Sequence, residues 1–184
     1  MIAYKAFNVG LNCRGYQFRM GLNTTDKANC AQNGFHCAAN PLDCLSYYSL
    51  GDNTEFFIVN AGGDIDEDDS DSKISCTELT ILKKIELGEL LLHALVYMVD
   101  HPQMPWNRHV SHDTGEANNG FSIVRGVDPI AKGRRGDYLA LAKESPDGNR
   151  IADILVVPVD GKDVLEETYY NVECRRVVRP SGTR

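Results

Sequence analysis

NGFHCAANPLDCLSYY, residues 33–48, places a histidine between an aromatic residue and a cysteine, then passes through Ala-Ala-Asn-Pro into an apolar run ending in two tyrosines. GFHCA reads as a short strand. Asn40 suits a helix N-cap and Pro41 the first helical position, where a missing N–H costs nothing. The helix is predicted over Pro41–Tyr48. Phe35 or His36 would point inward, and Leu42, Leu45 and one of Tyr47 and Tyr48 would bury the inner face. In such a corner His36 reads first as a hydrogen-bonded core residue and only second as a site residue.

Around this corner the chain reads as strands. IAYKAFN (2–8) and CRGYQFRMG (13–21) precede it, the second with Tyr16 and Phe18 on one face and Gln17 and Arg19 on the other. TEFFIVNA (54–61) and KISCTELTILKKI (73–85) follow. Between them, six of the eight residues Asp64–Asp71 are acidic, a density of like charge that predicts an exposed loop. ELGELLLHALVYMVD (86–100) carries Leu87, Leu90, Leu91, Ala94, Leu95 and Met98 at helical spacing. His101-Pro102 ends that helix. Residues 101–133, rich in Gly, Pro, Asn and His, show little periodicity and read as an irregular connector. From residue 134 onward, DYLALAKE, IADILVVPV, TYYNVE and RRVV, separated by SPDG and VDGKD turns, read as a small antiparallel meander. The expected fold is α+β: a mixed-sheet domain over 1–100 with one or two helices, the connector 101–133, and a β module over 134–184.

A chain of 184 residues is long enough for one core with an appendage. A net charge of −7 disfavours a general nucleic-acid binder and suits an acidic protein that docks on a basic protein. No apolar run reaches the ~20 residues that span a bilayer. The N-terminus lacks the basic and apolar regions of a signal peptide, so a cytoplasmic location is expected. The six cysteines are then expected as reduced thiols.

The ordered motifs YKAFN, CRGYQF, NGFHCAANPLDCLSYY and DSK, with a closing module GDYLALAKESPDGNRIADILVVPVDGKDVLEETYYNV, resemble a family of phages and prophages known as a domain of unknown function. That resemblance covers most of the chain outside 86–133. It implies short solenoid-type repeats between the two modules, of which DTGEANNGFSIVRGVDPIAKG would be the remainder. It also implies a protein of a bacterial host's cytoplasm, and it carries no chemistry. An accessory protein that binds a host protein, with an anti-defence role, is the function this suggests. The carboxylates of Asp64, Asp66, Glu67, Asp68, Asp69 and Asp71 would form the binding surface by imitating a phosphate backbone. A homo-oligomer is compatible with the sequence.

A second resemblance is to ADP-ribosyltransferases. A first strand gripping NAD, a strand-and-helix ending in an aromatic, and a later strand carrying Glu follow one another there. The corresponding positions are Lys5, His36, Tyr47 and Glu78, with NAD as cofactor and the Glu78 carboxylate stabilising an oxocarbenium-like centre. Lysine in place of Arg or His, and a lone Glu, depart from that pattern. No metal is expected. His101, His109 and His112 with Asp113 match no ligand spacing, and Cys30, Cys37 and Cys44 contain no CxxC pair. The acidic run lacks the glycine and the terminal glutamate of a calcium loop.

Overall fold

The structure, a computed structural model, describes residues 1–30, 32–51, 53–67 and 72–178. The chain divides into two compact units, Met1–Leu90 and Leu91–Arg184, each carrying one sheet. Strands dominate and helix is sparse.

In the first unit the strands are β1 (Ile2–Asn8), β2 (Asn12–Cys13), β3 (Tyr16–Gln17), β4 (Gly21–Thr24), β5 (Phe35–Ala38), β6 (Thr54–Glu67) and β7 (Lys73–Ile85). All their pairings are antiparallel. β1 lies along β6, β6 along β7, and β5 pairs with β7 through all four of its residues. β5 also meets β1 at the Tyr4–Ala38 pair. β1, β6, β7 and β5 therefore close into a ring. Alternation sends Ala3 and Phe7, Phe57 and Val59, and Phe35 and Cys37 into one core. Phe7 meets Phe18 and Phe57 edge-on, with centroids 5.1 and 5.5 Å apart.

The 33–48 corner forms as expected. Asn40 Oδ1 accepts from Leu42 N at 3.0 Å, Pro41–Asp43 make one 3-10 turn, and α1 (Cys44–Tyr47) follows. Ser72 pins the corner to the far hairpin, donating to Asp43 Oδ2 at 2.6 Å and accepting from Asn40 N at 2.7 Å.

Two expectations for this unit are corrected. CRGYQFRMG is not one strand, because Arg14 and Gly15 have φ of 50° and 82° and turn β2 into β3. Successive positive φ values define the tight hairpin turn that matches strand twist. The acidic segment is not a loop over 64–67: Asp64, Ile65, Asp66 and Glu67 continue β6. The register slips between Gly62 and Ile65, then resumes with Ile65 opposite Cys76 and Asp66 opposite Ser75. Backbone pairing with β7 holds these carboxylates in extended geometry despite their repulsion. Asp68, Asp69 and Asp71 lie outside the described residues.

The second unit begins within α2 (Leu87–Asp100), where Leu90, Leu91, Ala94 and Leu95 are buried as the helical spacing predicts. Its strands are β8 (Val110–Glu116), β9 (Phe121–Lys132), β10 (Tyr138–Glu144), β11 (Ile151–Pro158), β12 (Tyr169–Tyr170) and β13 (Arg176–Val177). The expected connector 101–133 thus contains two strands. The module after it is not an antiparallel meander, since β9 sits between β10 and β12 and is parallel to both β8 and β10. Parallel neighbours ordinarily need a crossover of about a dozen residues. Here 117–120 and 133–137 suffice, because the chain bends inside the strands. Asp113, at φ 56°, splits β8 into a leg pairing with 123–125 and a leg pairing with 130–132. Asn119 and Gly120, at φ 56° and 92°, then reverse the chain. Each coil runs out and back, and the next stacks on it. Gly126 passes over the bend where a Cβ would collide with Asp113 Oδ1 and stand 3.3 Å from Asp113 Cα. Val124, Ala131, Leu139, Leu141 and Tyr170 fill the interior. These strands are buried on both faces, so the period-2 signature that marks an exposed sheet is missing from the sequence.

Candidate functional site

A cleft of about 410 Å³ opens in the first unit, bordered by β1 and β5, which are joined by the single Tyr4–Ala38 pair. This is the size range of small-ligand sites. β1 contributes Lys5, the β2–β3 hairpin Cys13, Arg14 and Tyr16, β5 His36, α1 and its cap Tyr47 and Tyr48, and β7 Lys73. Gly34 enters the rim at φ 89°; a Cβ there would strike Ser75 Oγ and come 3.0 Å from Ala28 Cα. No residue with a side chain substitutes at that position without strain.

Lys5 is only 6% exposed. Its ammonium donates to His36 O at 2.6 Å, reaches Cys13 Sγ at 3.8 Å, and sits 5.1 and 5.4 Å from the Phe7 and Phe18 ring centroids. No carboxylate pairs with it among the described residues. A buried ammonium without a counter-ion is costly; the aromatic faces recover part of that cost. Arg14 is exposed at the mouth and makes no hydrogen bond or ion pair among the described residues. Lys73 donates to Tyr47 Oη at 3.5 Å and stands 5.5 Å from its ring centroid.

These charges act on their neighbours. His36 is pulled below its ordinary 6.5, first by burial and then by Lys5, Lys73 and Arg14. Burial pushes the Tyr48 phenol up, assisted by its 3.0 Å hydrogen bond to Cys13 Sγ. Burial also pushes the Cys44 thiol up to about 12, against the pull of Lys5. The cleft therefore holds three cationic side chains, a neutral imidazole and six aromatic rings. No carboxylate lines it among the described residues.

Of the sequence candidates, Lys5, His36 and Tyr47 come together here. Glu78 does not: it is exposed on β7, opposite Thr24 on one side and Gly62 on the other, and does not line the cleft. Asp64 and Glu67 are exposed on β6, and Asp66 Oδ2 accepts from Cys30 N at 2.6 Å, tying down the 25–34 connection. Two histidines of the second unit go into aromatic stacks, His101 on Tyr97 with centroids 4.2 Å apart and His112 on Trp106 at 3.7 Å, while His109 is tilted against Phe121 at 6.2 Å. No cluster of three ligating groups suited to a metal forms among the described residues. Sequence reasoning missed Arg14, Cys13, Tyr48 and Lys73. The Arg-Gly pair at 14–15 was the available signal, because a two-residue turn there projects its neighbours over β1.

Residues 1–93 match the family described as Domain of unknown function (DUF7666), and the chain belongs to that family. The match ends within α2 and contains every residue of the cleft. No curated protein and no solved structure matches the chain. No helix among the described residues is long and apolar enough to cross a membrane.

Proposed function

We propose that the N-terminal unit binds a small anionic molecule with a planar, apolar body. One observation carries this reading: in a chain of net charge −7, the cleft gathers Lys5, Arg14 and Lys73 among aromatic walls without a carboxylate among the described residues. Cations gathered inside a low-dielectric concavity focus positive potential there. The lysine, histidine and tyrosine of the ADP-ribosyltransferase resemblance fit a ligand-gripping role, and NAD fits the ligand class. Ribosyl transfer needs a carboxylate beside the reacting carbon, and Glu78 stands elsewhere, so binding without that chemistry is the reading we favour. The test is calorimetry with phenyl phosphate and inorganic pyrophosphate at low salt. Saturable binding, weakened by salt and by Arg14→Gln or Lys5→Met, is expected. Silence at millimolar concentration of both sinks the reading.

The exposed Asp64 and Glu67 support a second reading, docking of this end of the β6–β7 hairpin on a basic surface of a host protein. This is the accessory, anti-defence role that a phage or prophage protein would play in a bacterial cytoplasm. Asp64→Lys combined with Glu67→Lys would then abolish the protein's effect in cells while leaving pyrophosphate binding intact. If the double variant keeps its cellular effect, that reading is wrong.

A further inference from the structure

Two cations and two tyrosines face the cleft from separate elements. Arg14 and Tyr16 come from the β2–β3 hairpin; Lys73 from β7 stands 5.5 Å from the ring centroid of Tyr47 on α1. Both tyrosines are among the exposed large side chains of this unit, at 45% and 52%. Each lines the cleft with about half of its surface exposed instead of burying itself in the core. Tyr16 is braced from behind, with its centroid 4.6 Å from Phe18 and 5.2 Å from Phe35. A free phosphate would use the cations and leave these rings idle. An uncharged aromatic would use the rings and leave Lys5 and Arg14 without an anion.

Resting on the anion-binding reading above, we infer that the cleft takes a nucleoside phosphate. The phosphates lie against Arg14, Lys73 and the Lys5 ammonium. The base stacks on Tyr47 or between Tyr47 and Tyr16. The guanidinium of Arg14 offers a planar fork of donors matched to phosphate oxygens. A base on an aromatic platform beside a cation is the arrangement that proteins use for nucleotides and single strands alike. Here the net charge of −7 opposes a long polyanion and leaves a single nucleotide as the occupant.

The test compares ADP, GDP and UDP with inorganic pyrophosphate and adenosine by calorimetry on the full chain. Parent protein is run beside Tyr47→Leu, Tyr47→Phe and Arg14→Gln, each checked for an unchanged thermal midpoint. At least one nucleoside diphosphate is expected to bind about tenfold or more tighter than pyrophosphate, the value of one stacked base. Tyr47→Leu removes that margin, Tyr47→Phe keeps it, and Arg14→Gln weakens nucleotide and pyrophosphate alike. Nucleotides no tighter than pyrophosphate, or a margin that survives Tyr47→Leu, overturn the nucleotide assignment while leaving the anion cleft standing. Adenosine binding as tightly as ADP removes the role of the cations and overturns both. No binding of any of these ligands at millimolar concentration also overturns both.

Discussion

Lys5 in the first unit and Arg125 in the second are both buried cations on central strands, and they are treated in opposite ways. Arg125, 4% exposed, donates through Nε to Glu144 at 2.7 Å and through Nη2 to Pro102 O at 2.6 Å, and its guanidinium lies 4.9 Å from the Trp106 ring centroid. Every direction of its charge is answered from within the unit. Lys5 has one carbonyl, one thiol and two ring faces, and no carboxylate among the described residues. The same contrast extends outward: Lys132 sits between Glu167 and Glu116 at 3.0 and 3.3 Å, whereas Arg14 has no partner among the described residues. A closed charge holds a fold together. An open one is kept at an energetic cost that the proposed anion would offset.

This contrast is open to attack from several sides. Glu144→Ala, which leaves Arg125 buried with its charge unanswered, is expected to destabilise the chain by about 3–5 kcal/mol in urea unfolding. A loss under about 1 kcal/mol would mean that the Arg125 pair is no more than a surface contact. Arg14→Gln is expected to lower pyrophosphate affinity by about tenfold, roughly 1.4 kcal/mol, with the unfolding midpoint unchanged.

Lys5→Met is expected to stay within about 1 kcal/mol of the parent in stability, because replacing a buried ion by an apolar residue of similar volume is often neutral. The same change should weaken anion binding, which separates the two roles of a buried cation within one protein.

The smallest effect concerns pH. His36 is neutral in the folded cleft because burial and three cations hold its ionisation below 6.5. Its contribution to stability is therefore present above pH 6.5 and is lost as pH falls through the folded value. A bound anion opposes the depression, so binding takes up protons. The affinity for phenyl sulfate, whose own charge is constant over this range, should rise as pH is lowered from 7 to 5, by no more than about tenfold. A His36→Gln variant should show a flat profile.

The first unit was largely legible in its sequence. Its longer strands are runs of aromatic and β-branched residues, and Asn40-Pro41 carries a local capping chemistry that needs no tertiary partner. Three of the four proposed site residues, Lys5, His36 and Tyr47, do share one cleft. Glu78 was assigned by order along the chain, and order does not report which edge of β7 a side chain leaves from. Arg14 was hidden inside what read as a continuous apolar-polar alternation. In the second unit the helix α2 was legible, and so were the strands from Tyr138 on, though not their pairing. Across Val110–Lys132, β8 is mostly exposed while β9 buries both faces, and the chain bends at Asp113 and near Gly126, so no regular alternation survives. The Asn119-Gly120 reversal was readable as a tight turn, but a turn of that kind announces an antiparallel hairpin, and here it joins two coils of a parallel stack.

That stack has a consequence for how such a protein changes over time. In β8, β9 and β10 each coil meets the backbone groups of the next, and each begins and ends on the same side. A further coil inserted at 117–120 would find both of its neighbours already shaped to receive it. The second unit is in that sense a telescoping section, whose length evolution could alter by whole turns while the cleft-bearing unit, encoded entirely upstream, kept its geometry untouched.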